Sequence, residues 1–187
     1  MQIITTGPIA SLTFAVAFAT VLSAPQPAQA ASATEIDTRT DAALDRFRAD
    51  VGGAKRFLTD AEGVLVFPQV LKAGFGFGGE YGEGALRVKG KTVDYYSTIA
   101  GSFGFQIGAQ SKTIILCFMT KAALDQFRNS EGWEVGVDGS VALVTLGVGD
   151  SVDTTNIKDP IVGFAFNNKG LMYNLTLEGS KMTRIKK

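Results

Sequence analysis

The chain has 187 residues, 45% hydrophobic and 19% charged, which suits one ordinary globular domain. Lys plus Arg and Asp plus Glu both total 18, so no overall charge draws the chain to nucleic acid, and attraction to phosphates must come from a local patch. Histidine is absent, which excludes Ser-His-Asp and Cys-His mechanisms and removes the commonest general base and metal ligand.

Residues 1–30 carry no charged side chain. Ile9 to Leu22 is an apolar stretch too short for a comfortable membrane span. A Pro-rich segment follows and ends in Ala28-Gln29-Ala30, the small-x-small pattern of a secretory leader cut near Ala30. The start of this leader lacks the usual Lys or Arg, so an uncleaved anchor is the competing reading. An exported protein, periplasmic or extracellular, is expected.

Residues 31–37 read as a mobile lead-in. A helix is expected to begin near Thr38–Asp41, where Leu44, Phe47, Val51, Ala54 and Leu58 form one apolar stripe. Asp45, Arg46, Arg48 and Asp50 cover most of the opposite face, and Gly52-Gly53 is placed to split the helix in two. Its mixed charge favours packing on the domain over lying on a membrane, where Lys and Arg dominate the polar face.

From Gly63 the apolar period becomes two. Val64–Phe67 predicts a short strand stopped by Pro68, followed by strands over Gly74–Tyr81, Ala85–Lys89, Thr92–Ile99 and Ser102–Ala109. Gly90 marks a hairpin. Ile114–Met119 is a continuous apolar run, as in a strand covered on both faces. Within it Cys117 is the single cysteine and reads as a small buried hydrophobe. Thr120 is placed to cap a short helix near 120–128 with Leu124 and Phe127 inward. Trp133–Val137, Val141–Leu146, Ile161–Phe166 and Leu171–Leu177 complete the strands, with a turn at Asn167-Asn168-Lys169-Gly170. Strands following strands predict an α+β fold built on a mainly antiparallel sheet, sandwich or barrel-like, with an N-terminal amphipathic helix.

Glycines alternate with aromatics in two places. Gly74, Gly76 and Gly78 lie opposite Phe75 and Phe77; Ser102, Gly104 and Gly108 lie opposite Phe103, Phe105 and Ile107. A bare strand face admits close neighbours, so a packed helix or second sheet is expected there, with a groove for an acyl chain or peptide as the alternative.

Gly74, Gly76 and Gly79 satisfy G-x-G-x-x-G, but a strand continues where a nucleotide site needs a helix. Asp150, Asp153 and Asn156 lack the spacing of a calcium loop. Glu80 and Glu83, three apart on a strand, point to opposite sides and so do not form a catalytic pair. No cofactor, metal or catalytic residue is expected. Two basic groups stand out as candidate head-group contacts: Arg87, Lys89 and Lys91 around the hairpin, and Lys181, Arg184, Lys186 and Lys187 in the tail.

The run from Glu62 to Arg184 resembles the SYLF domain family. The resemblance is carried by A-E-G-V-L-V-F-P-Q-V-L-K-A-G-F-G-F-G-G-E-Y-G-E-G, Y-Y-S-T-I-A-G-S-F-G-F-Q-I-G-A-Q-S-K, F-R-N-S-E-G-W-E-V-G-V-D-G-S-V and N-K-G-L-M-Y-N-L-T-L-E-G-S-K-M-T-R-I, in that order. It implies a SYLF-like domain over 38–187, in a stand-alone bacterial-type member. It further implies a non-catalytic lipid-binding module. Eukaryotic relatives bind lipids, some recognising phosphoinositides, and yeast relatives bind actin filaments. For an exported copy the expected partner is another anionic lipid at a membrane surface, or else an envelope protein.

Overall fold

The computed structural model describes residues 30–104, 110–144, 158–167, 170–171 and 177–187. The expected leader up to residue 29 lies outside these residues. So do Phe105, Ile107 and Gly108 of the second glycine row, and the loop bearing Asp150, Asp153 and Asn156.

Helix α1 (Ala33–Asp50) starts five residues before the expected Thr38. The Ser32 hydroxyl accepts from the Glu35 N–H at 3.2 Å, and Ser32-Ala33-Thr34-Glu35 has capping-box spacing, a stronger start signal than any downstream residue offers. Residues 33–37, expected as a mobile lead-in, are therefore its first turns. Gly53 adopts a left-handed φ of 83° and separates α1 from helix α2 (Ala54–Asp60), as the Gly-Gly pair implied.

Strand β1 (Gly63–Val88) runs 26 residues without stopping at Pro68. The pairing register slips between Phe67 and Val70, so the missing proline N–H falls where the ladder is already interrupted. The Pro68 carbonyl is satisfied by the Thr113 hydroxyl at 2.9 Å. At the far end Lys89 (φ 50°) and Gly90 (φ 76°) form a two-residue left-handed turn into strand β2 (Lys91–Gly104).

Strand β3 (Gln110–Phe118), helix α3 (Lys121–Asn129), and strands β4 (Trp133–Glu134), β5 (Ala142–Val144), β6 (Ile161–Asn167), β7 (Gly170–Leu171) and β8 (Lys181–Ile185) follow. The Thr120 hydroxyl caps α3 by accepting from Ala123 N–H at 3.2 Å. The strands form one eight-stranded sheet in the order β4-β8-β2-β1-β3-β6-β5, with β7 beside β6. All pairs are antiparallel except β5–β6. The fold is α+β, and the sheet is a curled half-barrel.

The curl follows from β1 bending back on itself. A Cβ at Gly84 would collide with the Val66 carbonyl oxygen, and one at Gly82 would come within 2.8 Å of the Gln69 carbonyl oxygen. At these two glycines, which lie outside the expected rows, the close neighbour is the first half of the same strand.

Both faces of the central strands are covered. Leu65, Phe67, Ile114, Leu116 and Phe118 pack with Leu124 and Phe127 of α3 and with Trp133. Val64, Val66, Ile115, Cys117 and Phe164 pack with Leu44 and Phe47 of α1 and Phe57 of α2. The Phe164 ring lies 4.7 Å from Phe47 and 5.0 Å from Phe57. The continuous apolar run of β3 therefore reads correctly as a strand buried on both sides.

Candidate functional site

The seven basic residues expected to meet a head group do not form one patch. Arg87 is drawn onto α1, where it pairs with Asp41 at 2.8 Å and Asp37 at 3.5 Å, and its side chain is 15% exposed. Asp37 also accepts from Thr92 Oγ1 at 2.7 Å and Tyr95 Oη at 2.9 Å, so this carboxylate fastens the helix to the hairpin. Burial, and then the bond to Asp37, pushes the Tyr95 phenol up. Lys89 and Lys91 remain exposed at the hairpin tip.

The tail is a strand rather than a loose cluster. β8 pairs with β2 from Tyr95↔Ile185 to Ile99↔Lys181, and Met182 points into the core. Arg184 donates to the Tyr96 hydroxyl at 3.4 Å, to the Arg128 carbonyl, and approaches Asp94 at 3.6 Å. Its guanidinium lies over the Tyr96 ring, 5.9 Å from the centroid. Lys187 pairs with Glu83 at 2.8 Å, and although the terminal residue is exposed as a whole, its side chain is not. Lys181 and Lys186 are exposed. Lys181 lies opposite Ile99, eight residues along β2 from Lys91 or roughly 26 Å of extended strand, so it cannot share a small ligand with the hairpin lysines. Of the seven, Arg87, Arg184 and Lys187 are committed to internal partners, while Lys89, Lys91, Lys181 and Lys186 remain open to solvent.

Glu80 and Glu83 diverge, as their spacing implied. Glu80 meets Lys112 at 2.5 Å and Lys72 at 3.9 Å, whereas Glu83 meets Lys187. Cys117 is fully buried, and burial pushes its thiol up to about 12.

Two recesses flank α1. One, about 530 Å³, has Leu44, Leu58 and Val64 at its wall, but its Arg48, Arg87 and Lys89 are matched by Asp41, Asp60 and Glu62. The other, about 360 Å³, lies between α1 and the β1 bulge. Arg39, Ala42, Ala43 and Arg46 line it from the helix, and Gln69, Ser111, Lys112 and Thr113 from the sheet. No carboxylate is among its described lining residues. Arg39 donates to Gln69 Oε1 at 3.3 Å and pairs with Glu35 at 2.6 Å. Arg46 sits over the Phe166 ring at 5.6 Å. Lys112 pairs with Glu80 as Arg39 does with Glu35, and Lys112 is the more deeply buried, so the arginines are the cations nearer the mouth of this recess.

Arg39 and Arg46 were not among the expected contact residues; the sequence reading placed Arg46 on the helix face opposite the apolar stripe and left Arg39 unassigned. The available signal was their spacing of seven around Ala42 and Ala43, two turns apart on one face with small residues between.

Residues 99–187 match the family described as Ysc84, Las17-binding protein actin regulator. That stretch belongs to the Ysc84 (SYLF) family. The family is linked to actin regulation and lipid binding, and its domain is in general a non-catalytic binding module. The matched stretch begins inside β2 and includes β3, α3 and β8, so it spans strands from the centre of the sheet to both flanks. No curated protein matches the chain. Among the described residues, no helix is long and apolar enough to cross a membrane.

Proposed function

We propose that this Ysc84-type domain is a non-catalytic module, peripheral to a membrane, that recognises anionic lipid head groups. The chain would be exported and act in the periplasm or outside the cell after its leader is removed near Ala30. The observation that carries the reading is the recess at α1, where Arg39 and Arg46 line a space with hydroxyl and amide donors and no described carboxylate. Arginine matches phosphate oxygens with two parallel donors, and Ser111, Thr113 and Gln69 can fill remaining positions. The exposed Lys89 and Lys91 would add longer-range attraction.

Vesicle flotation of the mature protein at low and high salt tests this. Binding to phosphatidylglycerol vesicles and not to phosphatidylcholine, weakened by salt, is expected. Replacing both Arg39 and Arg46 by Gln should weaken it roughly thirtyfold, taking about 1 kcal/mol per charge near the surface. The same change at Lys89 and Lys91 serves as a comparison, with a smaller loss expected. Absence of binding to every vesicle would abandon the lipid reading.

A second reading is an envelope protein-interaction domain, consistent with a family described by its Las17 binding. Tyr81 and Ile99 favour it. They are direct partners across β1 and β2, and each is 51% exposed, leaving an apolar pair on the surface.

A further inference from the structure

A second cluster of charged groups gathers around Ala31, away from both recesses. The Glu83 carboxylate receives the Lys187 ammonium at 2.8 Å and the Tyr81 hydroxyl at 2.8 Å. The same lysine donates to the Ala31 carbonyl at 2.9 Å, and the Ala31 N–H donates to the Glu83 carboxylate. The Glu83 and Lys187 side chains are 11% and 9% exposed. Burial pushes the Glu83 carboxyl up, but the Lys187 and Tyr81 hydrogen bonds, the Lys187 charge and the Ala31 N–H together hold it below its ordinary range. It is therefore an anion at neutral pH, shielded from water.

Ala31 is also the residue that follows Ala28-Gln29-Ala30, and the compact unit of the chain runs from Ala31 to Lys187. Its neighbour Ser32 is fixed as the cap of α1. We infer that Ala31 is the mature N-terminus and that its α-ammonium docks on Glu83 beside Lys187 and Tyr81. The inference rests on the export reading. Hydrolysis of the Ala30–Ala31 amide by a leader peptidase of the exporting cell adds one water. Ala30 leaves as a carboxylate, and the Ala31 nitrogen takes up protons to become an ammonium. A hydrogen bond from a neutral amide to the Glu83 carboxylate thereby becomes an ion pair between two full charges, on a carboxylate that is 11% exposed. The start of α1, and with it Arg39 two turns on, is then clamped to the sheet by a charge that the precursor does not possess.

The test uses the full chain expressed with its own leader in an exporting bacterium. The recovered protein is mapped at its N-terminus, then pulsed with an amine-acylating reagent at mildly alkaline pH. The expected N-terminus is Ala31, with an α-amine acylated about tenfold more slowly than in Glu83→Gln, the factor for one unit of pKa. Surface lysines should react alike in both. Lys187→Gln keeps Glu83 in place and should keep the amine protected, which separates loss of the clamp from loss of folding. An Ala31 terminus with equal reactivity in wild type and Glu83→Gln overturns the docking and leaves export standing. A retained leader, or one cut elsewhere, overturns both.

Discussion

The Lys112 ammonium lies 2.5 Å from the Glu80 carboxylate, joining β3 to the second half of β1 across the curl of the sheet. Lys112 is 6% and Glu80 12% exposed, so neither charge can be left to water. Glu80→Gln removes one partner and strands the other, which should cost about 3–5 kcal/mol in urea unfolding. Replacing both, Glu80→Leu with Lys112→Met, should recover most of that loss. A Glu80→Gln cost within experimental error of zero would mean the pair is hydrated in solution.

Gly84 faces the Val66 carbonyl, which is backbone and cannot turn aside. Gly84→Ala should therefore cost about 3 kcal/mol or more, or leave the protein insoluble. Gly101 is the matched control, since a Cβ there meets nothing within 4 Å, and Gly101→Ala should unfold at nearly the wild-type urea midpoint.

Asp37 accepts hydrogen bonds from Thr92 and Tyr95 and pairs with Arg87, so it anchors α1 to the hairpin through partly buried contacts. Asp37→Ala should cost about 2–3 kcal/mol by stranding these donors. Asp45→Ala removes only the Arg48 partner on an exposed face and should cost less than about 0.5 kcal/mol. Thermal unfolding of the two variants side by side measures the difference.

Cys117 supplies a test in pH. Its ordinary value of 9.0 is raised to about 12 by burial, so the folded state holds the thiol proton more tightly than the unfolded state. The resulting stability is complete below about pH 9 and is lost progressively as pH rises toward 12. Tyr81, raised to about 12 by burial and by Glu83, and Tyr95 and Tyr96, also raised, act in the same direction. The Cys117 share is therefore the part of the alkaline loss that Cys117→Ala abolishes. In the native protein at neutral pH, the thiol should react with a disulfide reagent only as fast as the chain unfolds.

Much of the framework can be read without coordinates. Alternation along β2, the apolar run of β3, the Lys89-Gly90 turn and the Thr120 cap all depend on neighbours a few residues apart. β8 was hidden because Met182 is its only fully inward apolar residue, and Lys181 and Arg184 made the segment look like a solvated tail. The start of α1 was misplaced because Thr38 and Asp41 are acceptable caps in isolation, while Ser32 and Glu35 act as a pair.

The amino-acid sequence by itself settled the absence of histidine chemistry, the α+β class and the divergence of Glu80 from Glu83, because composition and strand periodicity are local properties. It could not settle where the cations end up. Arg87, Arg184 and Lys187 look alike as charges in a string, yet each meets a carboxylate or aromatic ring tens of residues away. Arg39 and Arg46 gain a shared recess only because α1 lies against the bulge of β1. Charge is written residue by residue, but its partners are chosen when the curled sheet brings distant segments within a few ångströms.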